Sequence, residues 1–532
     1  MKPRILALLF ASCASTILAD TYQRQPPIDV QHYVFRVELS DANDEIAGET
    51  TVTVRFLKDA VSSFWLDLAS PAAGLGMTVS AVTAGSTPVE FTHREDRLTL
   101  TLVPPAKAGE LRSFTVKYRG VPNKGLLFPR NKFGDRTFFS VNWPDLAHQW
   151  LPTVDHPSDK ATSEFIVTAP AKYQVVANGL LQEELDLGDG RRRTHWKQSV
   201  PIATWLNNIG VAEFASRHFA RAAGVPLESW SFPKDRENAI VTLEEPLRQS
   251  IEFFNDHIGP YAYEKLAGVE AAGMGGGMEH ASEIFFGERS ISGRPGLGLV
   301  SHETAHQWFG DSVTESDWDD VWLSEGFATY FSSLAIEHYQ GRDALVQQLK
   351  RTRVGIFQTE KRMPDTAVIQ TKPWKGIPNG IVYQKGGWSL HMLRGEIGDE
   401  KFWTAIREYY RRYRDSNAST ADFERTVEET SGQDLHWFFQ QWLYRPGSPV
   451  VEGIWRYDAA AKKVLLDLTQ TESGTPYRLP IEVGIGSGKV EKVVLTQKQQ
   501  HFEIAADQEP GSVELDPNVW LLIDAKLTKQ AP

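Results

Sequence analysis

Cysteine is almost missing from this chain: Cys13 is the only one in 532 residues. That excludes a disulfide framework and a thiolate-bound structural metal site. Long apolar runs are missing as well. Beyond the N-terminal segment, none approaches the ~20 residues of a membrane-spanning helix. There is no excess of basic charge. The formal charge is -12 and the pI about 5.7, which argues against a nucleic-acid surface. Internal repeats and low-complexity blocks are also absent.

What is present is a globular composition, 41% hydrophobic and 11% aromatic with sixteen tryptophans. A chain this long exceeds one core, so two to four domains are expected. The chain opens with MKPRILALLFASCASTILAD. Lys2 and Arg4 precede a short apolar run and then small residues, the pattern of a secretory signal peptide cut near Ala19. Export, to a periplasm or to the medium, is therefore expected, with a mature charge of -14 once Lys2 and Arg4 are lost. A variant of this reading makes Cys13 a lipidation site, although Phe10 suits that cleavage box poorly.

From residue 30 to about 206 the pattern alternates with period two, as in HYVFRVELS, GETTVTVRFL, RLTLTLVP and SFTVKYRG. Asp189-Gly190 marks a hairpin. From about Phe214 helical patterns take over and run to about Leu443. Leu247, Ile251, Phe254 and Ile258 share one helical face. Ser419 with Asp422 forms a capping-box pattern, Gly432 a stop, and Asp434 a cap for the next helix. After Pro446-Gly447 strands return, enough for a small β domain.

The strongest local signal is VSHETAHQWFG. His302 and His306, four apart on a helix, share a face and can meet one ion. Glu303 lies beside them. Eighteen residues after His306 comes Glu325, in a second helical stretch. Two histidines and a glutamate leave the fourth zinc position open for water, as in catalytic rather than structural sites. Zinc lowers the pKa of its water and polarises a carbonyl, and a neighbouring carboxylate such as Glu303 can act as general base. The oxyanion that develops needs a further donor, and a tyrosine is protonated at neutral pH.

HETAHQWFGDSVT, WDDVWLSEGFATYF and GGMEH together resemble the M1 family of zinc aminopeptidases, the gluzincins. So do IVYQKGGWSLHML, the stretch ending QQWLYRPGSP, DVQHYVFRVEL and DHPSDKAT, so the resemblance spans nearly the whole mature chain. It implies a multidomain α+β fold: a signal peptide (1–19), an N-terminal β-sandwich (20–211), a thermolysin-like α/β zinc catalytic domain (212–446) and a small C-terminal β-sandwich (447–532). Many members carry a further helical C-terminal domain. This sequence resembles the short form without it, so an open cleft is expected. The resemblance also implies one zinc ion per chain on His302, His306 and Glu325, Glu303 and Tyr383 as catalytic residues, and peptides with a free N-terminus as substrates.

In the family a glycine-rich strand runs beside the substrate and its glutamate grips the α-amine. Here that assigns Gly276, Gly277, Met278 and Glu279 to substrate binding. Two positions depart from the pattern. His280 stands where the family usually has asparagine, either a substrate contact or a structural imidazole. A second amine-binding glutamate of many members falls on Trp143, which could offer an aromatic face; Asp145 is a possible substitute. Because of Trp143, an endopeptidase or epoxide hydrolase of the same family stands as the alternative to an aminopeptidase. A non-catalytic scaffold is disfavoured by the intact metal set. Asp311, Asp319 and Asp320 are candidates for orienting the histidines or for helix capping. His391, His436 and the RRRTH run read as structural or solvated. Ser324 has no assignable role.

Overall fold

The computed structural model describes residues 20–369, 377–486 and 488–530. The leader reading and Cys13 lie outside the described residues. No described helix is long and apolar enough to cross a membrane.

The first part of the chain is built of sheets. In an eight-stranded sheet, Ile28–Glu38 pairs antiparallel with Ile46–Phe56 and parallel with Lys160–Pro170. Its inward phase changes within one strand. Ile28 and Val30 are buried, then Tyr33, Phe35 and Val37. A register shift between Val30 and His32 inserts the extra residue that moves the phase, as a β-bulge does. Phe56 and Phe114 of this sheet close on Phe64 of a three-stranded sheet, with ring centroids 5.8 and 5.2 Å from Phe64. The expected hairpin joins Leu180–Asp186 to Arg191–Ala203.

The second part corrects one detail of the sequence reading. Helices do not begin at Phe214. Strands Ala215–Ala222 and Val225–Ser231 come first and join a five-stranded sheet with Leu266–Ala271, Glu283–Gly287 and Gly277–Met278. Two of these strands, Leu266–Ala271 and Glu283–Gly287, are buried on both faces, so neither carries the alternation that reveals a strand. The helix Glu245–His257 does bury Leu247, Ile251 and Phe254, and Ile258 follows at its end. The capping box at Ser419 and Asp422 is formed, and Gly432 ends that helix at φ +68°. Asp434 accepts the His436 N–H at 3.3 Å, one residue ahead of the position expected of a cap.

Two helices cross at glycine. Trp322–Gln340 passes so close to the start of Gly386–Ile397 that a Cβ on Gly326 would lie 3.0 Å from the Gly386 carbonyl carbon. The π-helical turn Gly380–Lys385 leads directly into the second helix, so this contact holds Tyr383 beside Glu325. The last part of the chain forms a four-stranded and a three-stranded sheet. Sheets, then sheet with helices, then sheets: the multidomain α+β expectation holds.

A buried ion pair of the second part is tied by hydrogen bonds to the first. Lys265 and Glu283 have side chains 1% and 0% exposed, with Nζ and Oε2 3.3 Å apart. Lys265 also donates to the Ala177 and Ser282 carbonyls, and Asn208 donates to Glu283 Oε1. Burial, only partly offset by Lys265, pushes Glu283 up to about 7. Removing one member of such a pair leaves a buried, unmatched charge, which costs about 3–5 kcal/mol. Lys265→Met is therefore expected to lose several kcal/mol in urea unfolding at pH 8, with part of the loss recovered at pH 5, where Glu283 is protonated. A loss below about 1 kcal/mol at pH 8 would contradict the role of this pair.

Candidate metal centre

The helix Leu297–His306 carries both histidines at its C-terminal end, and their Nε2 atoms approach to 3.3 Å. The helix Trp322–Gln340 brings Glu325 against them. Its Oε2 lies 3.6 Å from His302 Nε2 and 3.3 Å from His306 Nε2. Glu325 is 4% exposed, and this Oε2 has no hydrogen-bond partner. A buried carboxylate oxygen facing two imidazole nitrogens, without a proper hydrogen bond, is what a cation would satisfy. Two imidazoles and a carboxylate suit zinc, and the donor set fits.

Around this set other groups converge. Ligand-type atoms of His302, Glu303 and His306 lie within 4.8 Å of one another, as do those of Glu279, His306 and Glu325. Burial raises the Glu303 and Glu279 carboxyls above the usual range. Glu279 also presses on Glu303, while the charge on His306 pulls both back. For Glu325 burial works upward, but His306 and the contacts to both imidazoles outweigh it and hold the carboxyl low. Tyr383 stacks parallel to His302 at 6.2 Å. Burial and the Glu325 carboxylate raise its hydroxyl, so it keeps its proton.

The glycines explain the approach of Glu279. Gly277 and Met278 form a two-residue edge strand against Phe286 and Phe285. A Cβ on Gly277 would lie 2.4 Å from the Glu303 carboxyl carbon, so only glycine lets the strand lie on that side chain. Gly276 has φ +70° and turns the chain into the strand. Gly275 faces open space.

The departures sort differently. His280 is wholly buried, its ring 4.8 Å from Phe285 and both ring nitrogens unpartnered. Burial pushes it down to about 3, so it is neutral. Of the two alternatives for His280, the burial of its side chain in the core fits the structural imidazole. Trp143 stands edge-on to Trp318 at 6.4 Å, and Trp318 tilts on Trp205. Its described contacts lead into this tryptophan cluster and not to Glu279. Asp145 lies instead beside His148, Asp155 and Asp67. Among the candidate orienting aspartates, Asp320 binds the Thr420 N–H and hydroxyl, and Asp319 accepts the Asp20 N–H. Asp311 accepts from Gln307.

Two residues with positioning contacts were not read from the sequence. Ser324 Oγ lies 3.0 Å from His306 Nδ1, an outer partner that fixes the ring and leaves Nε2 for an ion. Gln307 is fully buried at the end of the metal helix. Its Nε2 donates to the Glu279 and His280 carbonyls at 3.0 and 3.2 Å, and its Oε1 accepts the Ser282 N–H at 2.8 Å. One amide thus ties the glycine strand to the histidine helix. Spacing could not reveal either residue, because their partners come from other segments.

A helix pair presenting two imidazoles and a carboxylate beneath a sheet edge defines a metal-centred protein of mixed layers. Residues 29–206 match the model of the peptidase M1 N-terminal domain, and residues 244–442 that of the peptidase family M1 domain. The chain belongs to peptidase family M1. It is 28% identical to glutamyl aminopeptidase of Rattus norvegicus over 353 residues, 63% of this chain and 37% of that one. An M1 zinc metallopeptidase from Deinococcus radiodurans has a TM-score of 0.68 at 26% identity, covering 80% of this chain and 95% of that chain. A variant of that protein bound to a Tyr-Ser-Ala substrate gives 0.67 at 25% identity, covering 79% and 94%. The chain therefore spans a little over a third of the rat protein's length and nearly all of the Deinococcus structure.

The glycine geometry makes a paired prediction. Gly277→Ala must displace Glu303 or the strand and is expected to cost about 1–3 kcal/mol in thermal or urea unfolding. Gly275→Ala, in open space, is expected to be neutral within about 0.5 kcal/mol. Equal effects of the two would contradict the close approach.

Proposed function

We propose that this protein is a zinc-dependent aminopeptidase that releases the N-terminal residue of peptides. The observation that carries this reading is the position of Glu279, whose carboxylate reaches within 4.8 Å of ligand atoms of His306 and Glu325. A peptide's α-amine has a pKa of about 7.7–8.0 and is largely charged at neutral pH. A carboxylate fixed this close to the reacting carbonyl admits chain ends and disfavours chain interiors.

His302, His306 and Glu325 would hold one zinc ion, which supplies Lewis acidity and a water of lowered pKa. Glu303 takes the attacking water's proton on its carboxylate and passes it to the leaving amine. Tyr383, still protonated, donates its O–H to the oxyanion that develops on the scissile carbonyl. The backbone of Gly276 and Gly277 runs alongside the peptide, with Met278 buried beneath the strand. The Deinococcus relative solved with Tyr-Ser-Ala supports a short peptide as the substrate class.

Trp143 favours a second reading. Its ring joins a tryptophan cluster and supplies no second carboxylate for the amine. An endopeptidase or epoxide hydrolase of the same family would need none. We also infer export, on the charged-then-apolar start of the chain; a purified protein retaining Met1 to Ala19 after expression in a secreting host would refute it.

One short peptide in two forms, free and N-acetylated, separates the first two readings. The wild type is expected to cleave only the free form and to lose that activity with a chelator. Glu279→Ala should raise KM about tenfold or more, and Glu303→Gln should lower kcat about 10²–10⁴-fold. Equal cleavage of both forms would instead identify a protease that does not read the amine.

A further inference from the structure

The first described residues run as a strap across two parts of the protein. Tyr22 donates its hydroxyl to Asp67 Oδ2 at 2.6 Å, and Gln25 exchanges two hydrogen bonds with the Trp65 backbone. Both partners belong to the N-terminal sheets. Arg24 reaches the other way, to the Ser316 carbonyl at 2.7 Å and Asp317 Oδ2 at 2.9 Å. Segment 316–320 leads straight into the helix Trp322–Gln340, which carries Glu325.

Asp20 is the best anchored residue of the strap. Its side chain is 7% exposed, and its Oδ2 lies 2.6 Å from Nε2 of His156, which is 1% exposed. The Tyr22 ring stacks on the same imidazole at 4.7 Å. The other carboxylate oxygen of Asp20 accepts the Tyr22 N–H at 2.8 Å. Its backbone nitrogen points at Asp319 Oδ1, 2.8 Å away. The sequence places a leader cleavage point at this same nitrogen.

We propose that hydrolysis of the Ala19–Asp20 bond during export creates an α-ammonium on Asp20 that pairs with Asp319 and closes a clasp between the N-terminal sheets and the metal-bearing helices. The inference rests on the export reading above. In the step, water adds across the peptide bond: Ala19 leaves with the oxygen as a carboxylate, and the Asp20 nitrogen leaves as an ammonium. A leader peptidase of the export route supplies the catalysis. An amide N–H already lies at hydrogen-bond distance of the carboxylate, so cleavage turns a hydrogen bond with one charged partner into an ion pair without moving the chain.

The surroundings favour a cation there. Asp317, Asp319 and Asp320 crowd one short turn, and Arg24 brings one positive charge to it. Burial, with Asp317 and Asp319 beside it, pushes Asp320 up to about 6. A positive charge on the strap nitrogen would be attracted by the carboxylates of this turn.

The test begins with the full chain expressed in a secreting bacterial host and read by intact mass. The mature protein is expected to start at Asp20. Two forms are then compared: one starting at Asp20, released from a fusion by a protease that leaves the native terminus, and one with a retained Met before Asp20. The Asp20 form is expected to melt about 2 °C or more above the extended form. Asp319→Asn should abolish that difference by lowering only the Asp20 form. If the variant does not fold, the two wild-type forms still decide the matter. Coincident melting of the two forms would overturn the clasp and leave export standing. A mature chain that retains the leader, or begins at Cys13, would remove the cleavage itself and the inference with it.

Discussion

The structure turns on one unsatisfied arrangement: a buried Glu325 oxygen without a hydrogen-bond partner, facing the Nε2 atoms of His302 and His306, which themselves meet at 3.3 Å. Such a cluster is costly unless a cation completes it. Much of the surrounding architecture serves to hold it. Ser324 fixes the His306 ring from behind. The glycine contact between helices, at Gly326 and Gly386, lets Glu325 and Tyr383 approach the same point.

The glycine strand lies directly against this centre. Gly277 lies on Glu303 where any side chain would collide, and that closeness brings Glu279 within 4.8 Å of ligand-type atoms of His306 and Glu325. Gln307 secures the same strand from the metal helix. From the opposite side, Ser282 and Glu283 are gripped by Gly179, Lys265 and Asn208. The distance between Glu279 and the histidine–glutamate cluster is thus set by buried polar contacts from three directions.

Much of this was legible in the sequence. The four-residue spacing of His302 and His306 is a property of one helix, and Glu325 sits on a second helix with its own periodic pattern. The alternating strands of the N-terminal sheets could be read because one face of each is wet. Strands such as Leu266–Ala271 could not, because both faces are buried and the period vanishes. Gln307 and Ser324 were hidden for another reason: their contacts are made to segments far along the chain. The two alternatives for His280 could not be separated in the sequence, because alternation along a two-residue edge strand is too short to show which way the next residue turns. Trp143 kept its position in the motif, but its neighbours are tryptophans from other segments.

The most direct test of the central claim is zinc-edge anomalous diffraction from crystals of protein purified without added metal. The account predicts one strong peak per chain, bounded by His302, His306 and Glu325, with Glu279 turned toward the substrate side. A peak that takes Glu279 as a ligand in place of Glu325, or a fully active protein with no peak at these residues, would contradict it.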